Sequence, residues 1–99
     1  MFGMKMVKST EYMNVTYSQI DKMKHTIGFD IRKVTGTKHR KYIPYRNYYA
    51  AGDPDKPELD ELVNLGFMEK SSERYYHVTA DGRMFLELVT GVKILPESD

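Results

Sequence analysis

Residues 57–89 read PELDELVNLGFMEKSSERYYHVTADGRMFLELV, and the rest of the chain is organised around this stretch. Its first part has apolar residues at helical spacing, namely Leu59, Leu62, Val63 and Leu65. Gly66 ends that spacing, so a helix is predicted over 57–65. The pattern buries Leu62 and leaves Glu61 exposed without a partner.

Two short runs of β-forming residues follow this helix, at 67–70 and 74–78. They flank a compact polar turn, Ser-Ser-Glu, and this order predicts a two-stranded hairpin over 67–78. Alternation along the strands places three side chains on the inner face: Phe67, Tyr76 and Val78.

Thr79 predicts the start of another helix, over 80–90. Its hydroxyl can accept a hydrogen bond from a free backbone N–H of the first turn, and Asp81 lies where the helix dipole favours a negative charge. Gly82 is interpreted as a packing glycine. The apolar face of this helix is predicted to consist of Met84, Phe85, Leu88, Val89 and Val92.

The first helix is predicted over 17–27. Thr16 and Gln19 form a capping-box pattern at its start, and Gly28 can end it in a left-handed conformation. The spacing predicts an apolar face formed by Tyr17, Ile20, Met23 and Ile27.

Residues 42–52 hold a cluster of tyrosines between Pro44 and Gly52. Because Pro favours the start of a helix and Gly its end, a short helix is predicted over 45–51. Tyr45, Tyr48 and Tyr49 then share one face. The preferred interpretation buries these rings against the first helix, and the alternative is an exposed aromatic and basic surface beside Arg46 and Asn47.

These elements predict an α+β fold, a small winged-helix-like domain of helices with a two-stranded β-wing. Ninety-nine residues make one domain. We divide the chain into an N-terminal arm or short strand at 1–15, the winged-helix-like domain at 16–93 and a C-terminal tail at 94–99.

The second half of the chain also resembles a known family. Residues 62–70, LVNLGFMEK, and 75–83, YYHVTADGR, are similar to the recognition helix, wing and following helix of MarR-like and PadR-like transcription regulators. Residues 23–29, MKHTIGF, and 45–51, YRNYYAA, resemble segments of small uncharacterised bacteriophage and prophage proteins. The first resemblance implies a winged-helix fold, and the second implies a phage origin without a known activity.

Composition narrows the function classes. The chain has no cysteine, which excludes disulfides, thiolate zinc sites and cysteine nucleophiles. It has no apolar run as long as the roughly 18 residues of a membrane span, and no signal-peptide pattern. We therefore expect a protein in the cytoplasm of a bacterial host cell, without membrane contact.

Charge is distributed unevenly along the chain. Residues 22–46 carry eight basic residues and one acidic residue, a balance of +7. Residues 53–99 carry five basic and eleven acidic residues, a balance of −6. Such a split predicts either an anionic partner for the first part or pairing of the two parts, within one chain or between chains.

No residue pattern indicates catalysis. His25, His39 and His77 lie on different predicted elements and lack the close spacing of metal ligands. No phosphate-binding glycine loop occurs, and the carboxylates of 58–61 are expected to be a solvated helix face. We therefore predict a protein without enzymatic activity, cofactor, metal or small-molecule substrate.

Two functions remain. The leading hypothesis is a protein-interaction module that self-associates or binds a phage or host protein, with an acidic interaction helix carrying Glu58, Asp60 and Glu61. The alternative is a nucleic-acid-binding regulatory protein. Its contacts would come from the basic segment 32–46 and involve Arg32, Lys33, Lys38, Arg40, Lys41 and Arg46.

Overall fold

The computed structural model describes residues 14–97 of the chain. The predicted arm at 1–15 lies outside the described residues, apart from its last two. The described part contains three α-helices: α1 Tyr17–Thr26, α2 Lys56–Asn64 and α3 Ala80–Thr90. It also contains five short strands: β1 Lys41–Tyr42, β2 Tyr49–Ala50, β3 Met68–Lys70, β4 Tyr75–Val78 and β5 Lys93–Ile94. The predicted α+β fold is confirmed.

The strands form two small sheets. One is antiparallel with the order β2-β4-β3, so the predicted hairpin β3–β4 gains a third strand at its other edge. The other pairs β1 with β5 in parallel, aligning Lys41 with Lys93 and Tyr42 with Ile94. Helix, strand, helix, hairpin and helix in this order are consistent with a winged-helix arrangement.

Local capping sequences define the helix ends as predicted. The Thr16 side chain accepts from the backbone N–H of Gln19, and the Gln19 side chain accepts from the N–H of Thr16 at 2.9 Å. At the other end of α1, Gly28 has a φ of 65°, and the N–H groups of Gly28 and Phe29 donate to carbonyls of the last turn. Thr79 caps α3 by accepting from the N–H of Gly82 at 3.0 Å.

The core lies between the three helices and both sheets, and includes Tyr42 and Ile94 of the parallel pair. The predicted inner residues of the hairpin, Phe67, Tyr76 and Val78, are all buried. Phe67 stacks on Phe85 of α3, with ring centroids 4.8 Å apart. This contact fixes α3 against the start of the hairpin.

The predicted helix faces are partly wrong. Of the predicted face of the first helix, Met23 and Ile27 are buried and Ile20 is partly buried against the core, but Tyr17 is 88% exposed. Gln19 and Thr26 occupy the inner face instead, where hydrogen bonds satisfy their polar groups. Of the face predicted for α3, Phe85 is buried, as is Val92 just after the helix, and Leu86 joins them. The other members of the predicted α3 face are exposed: Met84, Leu88 and Val89.

The predicted helix at 45–51 is also wrong, because this segment is extended and ends in β2. Its backbone groups bind distant parts of the chain: the N–H of Tyr48 donates to Thr26 at 3.0 Å. The Asn47 side chain donates to the carbonyl of Val78 and accepts from its N–H, at 2.9 and 2.7 Å. These long-range hydrogen bonds replace the local ones that a helix would make.

The domain extends beyond residue 93. Ile94, which the sequence analysis placed in the C-terminal tail, lies in β5 and is buried. The N–H of Leu95 donates to the carbonyl of Tyr42 at 3.1 Å. The folded part therefore includes the first two residues of the predicted tail.

Candidate functional site

The three carboxylates of the predicted interaction helix lie on α2, and each one accepts a hydrogen bond from the same chain. Glu58 accepts from Lys22 Nζ at 2.7 Å and from the Ser18 hydroxyl at 2.9 Å. The sequence predicted that Glu61 has no partner, and this prediction is wrong. Glu61 accepts from the buried amide of Gln19 at 2.8 Å. Burial of that amide, which the sequence pattern did not indicate, requires an acceptor on α2.

Asp60 accepts from the hydroxyl of Tyr76 at 2.7 Å. Tyr76 is completely buried in β4, and burial together with this hydrogen bond raises the pKa of its phenol to about 12. The acidic helix is thus attached to α1 and β4 by its own carboxylates, which act as intramolecular acceptors.

The pair formed by Glu58 and Lys22 is sensitive to pH. Hydrogen bonds from Lys22 and Ser18 hold the pKa of Glu58 below its ordinary value, and the bond to Glu58 raises the pKa of Lys22. Since the folded state lowers the pKa of this carboxyl, its contribution to stability is present above the ordinary Glu value. It is lost as the pH falls through the lowered one.

We expect Glu58→Gln to unfold at a lower temperature than the wild type at pH 7 and to lose less stability between pH 6 and pH 3. The control is Glu73→Gln, in the exposed hairpin turn, which should follow the wild-type profile. Thermal melts across this pH range measure the effect. Parallel profiles for wild type and Glu58→Gln would contradict the role of the ion pair.

The basic residues of the segment 32–46 fall into three groups. Arg32 binds Asp30 through its Nε and Nη2 at 3.0 and 2.9 Å, which holds the pKa of Asp30 below its usual range. Lys33 and Arg46 lie beside exposed tyrosines. The other three line one cleft: Lys38, Arg40 and Lys41.

The cleft has a volume of about 470 Å³ and lies beside the end of α3, and we call it the basic cleft. Its lining residues are Lys38, His39, Arg40, Lys41, Glu87, Gly91, Val92 and Lys93. None of its Lys or Arg side chains belongs to an ion pair within residues 14–97. Its one carboxylate, Glu87, accepts from the backbone N–H of Ile94 at 3.0 Å.

Strand pairing places two positive charges next to each other at this cleft. Lys41 and Lys93 are aligned in the parallel pair β1–β5 and are both exposed, while Tyr42 and Ile94 point inwards. Paired strands lie about 4.8 Å apart, and like charges at neighbouring positions repel. A bound anion would relieve this repulsion. Lys93 was not among the predicted contact residues, because only the strand pairing brings it to the segment 32–46.

The tyrosines of the segment 45–49 are arranged differently from the preferred interpretation. Tyr45 and Tyr48 are 60% and 49% exposed, whereas Tyr49 is half-buried with its ring against His25. The guanidinium carbon of Arg46 lies 5.4 Å from the Tyr45 ring centroid and 5.9 Å from that of Tyr48. The alternative interpretation, an exposed aromatic and basic surface, is confirmed for Tyr45 and Tyr48.

A third exposed ring joins this surface from the hairpin. Tyr75 of β4 is 47% exposed, and its ring lies 6.5 Å from that of Tyr48 at an angle of 65°. We call Tyr45, Tyr48 and Tyr75 the tyrosine platform. Strand alternation offered a signal for Tyr75, since it precedes the buried Tyr76 and must point outwards.

The histidines have separate surroundings. Both ring nitrogens of His77 have partners, the carbonyl of Asn47 at 2.5 Å and the Ser71 hydroxyl at 2.7 Å. His39 lies at the basic cleft. Within residues 14–97, no cluster of three metal-ligating side chains is found, and no helix is long and apolar enough to cross a membrane.

Fold and site together define a small α+β domain that has an internally bonded acidic helix and a separate basic and aromatic surface. Comparison of the chain with family models, with curated proteins and with solved structures finds no match in any of the three.

Proposed function

We propose that this chain binds nucleic acid through the basic segment 32–46, mainly by contacts to phosphates. The observation that carries the proposal is the basic cleft, where Lys38, Arg40 and Lys41 meet Lys93. Lys and Arg there displace condensed counterions, which supplies most of the affinity in sequence-independent binding.

The carboxylates of α2 favour this function over a charge-paired protein interface. An interface between acidic helix and basic segment needs acidic groups that are free to turn outwards. Glu58, Asp60 and Glu61 instead accept hydrogen bonds from α1 and β4. Because each carboxylate already has a hydrogen-bond partner within the chain, pairing it with a second protein gains less than pairing a free carboxylate would.

The same carboxylates argue against groove reading by α2. In a DNA-binding winged helix, the helix before the wing enters the major groove. Here its exposed Asp60 and Glu61 would repel phosphate. The proposal accordingly places the contacts on segment 32–46 and predicts weak sequence preference.

The test is neutralisation of the cleft by the triple change Lys38→Gln, Arg40→Gln and Lys41→Gln. Affinity for any nucleic acid should fall about tenfold or more at 0.1 M salt, and the slope of log affinity against log salt should flatten by roughly 2. Fluorescence anisotropy with labelled oligonucleotides at 50–200 mM salt measures both.

A matched triple change removes the same charge elsewhere: Lys56→Gln, Lys70→Gln and Arg83→Gln. This control should retain affinity and slope. Equal losses in the two triple variants would show that net charge alone is responsible and would contradict the assignment to the cleft.

A second change separates the two function classes. Asp60→Asn with Glu61→Gln keeps the hydrogen-bond acceptors of Tyr76 and Gln19 but removes both charges. Nucleic-acid affinity should stay the same or rise, because repulsion of phosphate is relieved. In a charge-paired interface the same variant should lose self-association, which light scattering reads as molar mass.

Protein interaction is the second candidate, supported by the exposed apolar side chains of α3. Met84, Leu88 and Val89 are 59%, 67% and 46% exposed. Met84 and Leu88, four residues apart, share one face of this helix, and Val89 lies to the side of them. Exposed apolar patches often mark association sites. Leu88→Lys should lower the molar mass measured by light scattering if copies associate through α3, and an unchanged mass would contradict self-association there.

A further inference from the structure

The tyrosine platform is held in place before any ligand arrives. Arg46 donates from Nε and Nη2 to the carbonyl of His25, at 3.2 and 2.7 Å, so its guanidinium stays beside Tyr45 and Tyr48. The backbone N–H of Tyr48 donates a hydrogen bond to the carbonyl of Thr26. Because the rings do not have to be ordered on binding, their contact area is available at little entropic cost.

The exposure of three neighbouring rings is itself unusual. Each Tyr side chain could bury a large apolar area, yet Tyr45, Tyr48 and Tyr75 leave about half of their surface in water. The backbone of Tyr75 is fixed in β4 and that of Tyr48 by its hydrogen bond to Thr26 of α1, so the exposure of these two rings follows from the fold. An exposed cluster of rings beside cations fits a ligand with flat π faces and negative charge.

We propose that the tyrosine platform stacks unpaired bases, which makes single-stranded nucleic acid the preferred ligand of this domain. The proposal rests on the proposed function and deepens it. In the proposed complex Tyr48 and Tyr75, which are about half exposed and inclined at 65° to each other, each stack one base on their exposed ring surface, while Arg46 and Lys33 contact nearby phosphates. Lys33 Nζ lies 5.4 Å from the Tyr45 ring centroid and is carried by a flexible stem.

Duplex ligands cannot use this platform. Bases in a duplex are paired and stacked on each other, and only their edges are accessible in the grooves. Bases of a single strand can be turned out onto aromatic side chains. Since every base has a π face, the preference extends over all sequences and over DNA and RNA alike.

The basic cleft and the platform belong to one continuous segment. An isolated β-bridge pairs Thr35 with Lys41 and closes the loop that carries Lys38 and Arg40. Lys33, beside Tyr45, is two residues before that bridge. The backbone positions of Lys33 and Thr35 are therefore only about 7 Å apart if the chain between them is extended. A bound nucleic-acid strand that leaves the platform beside Lys33 has to cross only this distance to reach the bridge.

The experiment compares five probes of twelve units each in fluorescence anisotropy: dT12, U12, an abasic dodecamer, a twelve-base-pair duplex and a twelve-residue polyglutamate. The abasic strand keeps the phosphates but has no bases. We expect dT12 and U12 to bind more tightly than the abasic strand by roughly 5- to 150-fold for each stacked ring. A twelve-base-pair duplex should bind no better than the abasic strand.

Tyrosine emission gives an independent readout, because the chain has eight tyrosines and no tryptophan. Stacking of a base on a ring quenches this emission, and phosphate contacts alone do not. The emission should fall on addition of dT12 and stay unchanged with the abasic strand.

The variant Tyr48→Leu with Tyr75→Leu removes two π faces and keeps apolar bulk. It should lose most of the preference for dT12 over the abasic strand, because only the ring of Tyr45 remains of the platform. Tyr48→Phe with Tyr75→Phe is the control that keeps both rings and should retain the difference. Circular dichroism checks that both variants fold.

The following results would overturn base stacking by the tyrosine platform. Equal affinity for dT12 and the abasic strand would overturn base stacking and leave phosphate binding by the cleft standing. Polyglutamate binding as tight as dT12 would overturn stacking in favour of an acidic peptide ligand. Absence of binding to all these probes at 50 mM salt would overturn both this inference and the proposed function.

Discussion

Gly82→Ala is expected to destabilise the fold by about 3 kcal/mol, although alanine is normally the better helix former by about 1 kcal/mol. Gly82 lies in the first turn of α3 and is buried. A Cβ built on it would lie 2.1 Å from the carbonyl oxygen of Phe67 and 2.8 Å from a methyl carbon of Val78. Because the nearest atom belongs to the backbone of the hairpin, the helix itself must move.

Movement of α3 breaks neighbouring interactions. The carbonyl of Phe67 also accepts from the N–H of Thr79 at 3.1 Å, and the Phe67 ring stacks on Phe85. Thermal unfolding followed by circular dichroism should show a Tm lower by roughly 12–24 °C for a domain of this size.

Gly52→Ala is the matched control for this prediction. A Cβ there has only Pro54 as a neighbour, at 3.7 Å, which is ordinary contact, and its Tm should stay close to that of the wild type. A Tm for Gly82→Ala at or above the wild-type value would contradict the close approach of α3 to the hairpin.

The sequence predicted those features that depend on residues close together in the chain. The capping box of Thr16 and Gln19, the glycine end of α1 and the Thr79 cap each involve neighbours within five residues. The hairpin faces follow from strand alternation. Such patterns are complete within a short window, so no knowledge of the tertiary fold is needed.

The features that the sequence did not predict depend on distant partners. Asn47 fixes the segment before β2 by hydrogen bonds to Val78, 31 residues away. No pattern within residues 45–51 indicates these bonds. The buried Gln19 likewise binds Glu61 across 42 residues. In α3, apolar residues occur on several sides, so periodicity could not distinguish the buried Leu86 from the exposed Leu88.

The candidate site shows the same division. The basic segment was visible as a charge pattern, and its residues Lys38, Arg40 and Lys41 do line one cleft. Lys93 and Tyr75 join the surface only through the pairing of β1 with β5 and the contact between Tyr75 and Tyr48. Charge can be counted along the chain, but the neighbours of a charge are set by topology.

The second large effect is expected at Leu62, which is completely buried on α2. Leu62→Ala removes three carbons from the core and leaves a cavity, because the surrounding helices relax only in part. Such substitutions cost on the order of 2–4 kcal/mol. Urea denaturation should show a lower midpoint with an unchanged slope, since the folded state remains compact.

Glu61, the residue before it, makes the comparison informative. From the sequence alone Glu61→Ala would be neutral, but the structure gives the carboxylate a hydrogen bond from the buried Gln19 amide. Loss of that bond should cost about 1 kcal/mol, because the amide keeps its second bond to the carbonyl of Glu58. Glu61→Gln, which retains an acceptor oxygen, should recover most of the loss.

The expected order of unfolding midpoints is therefore wild type, Glu61→Gln, Glu61→Ala and Leu62→Ala, from highest to lowest. Equal midpoints for Leu62→Ala and Glu61→Ala would mean that the buried face of α2 is misassigned.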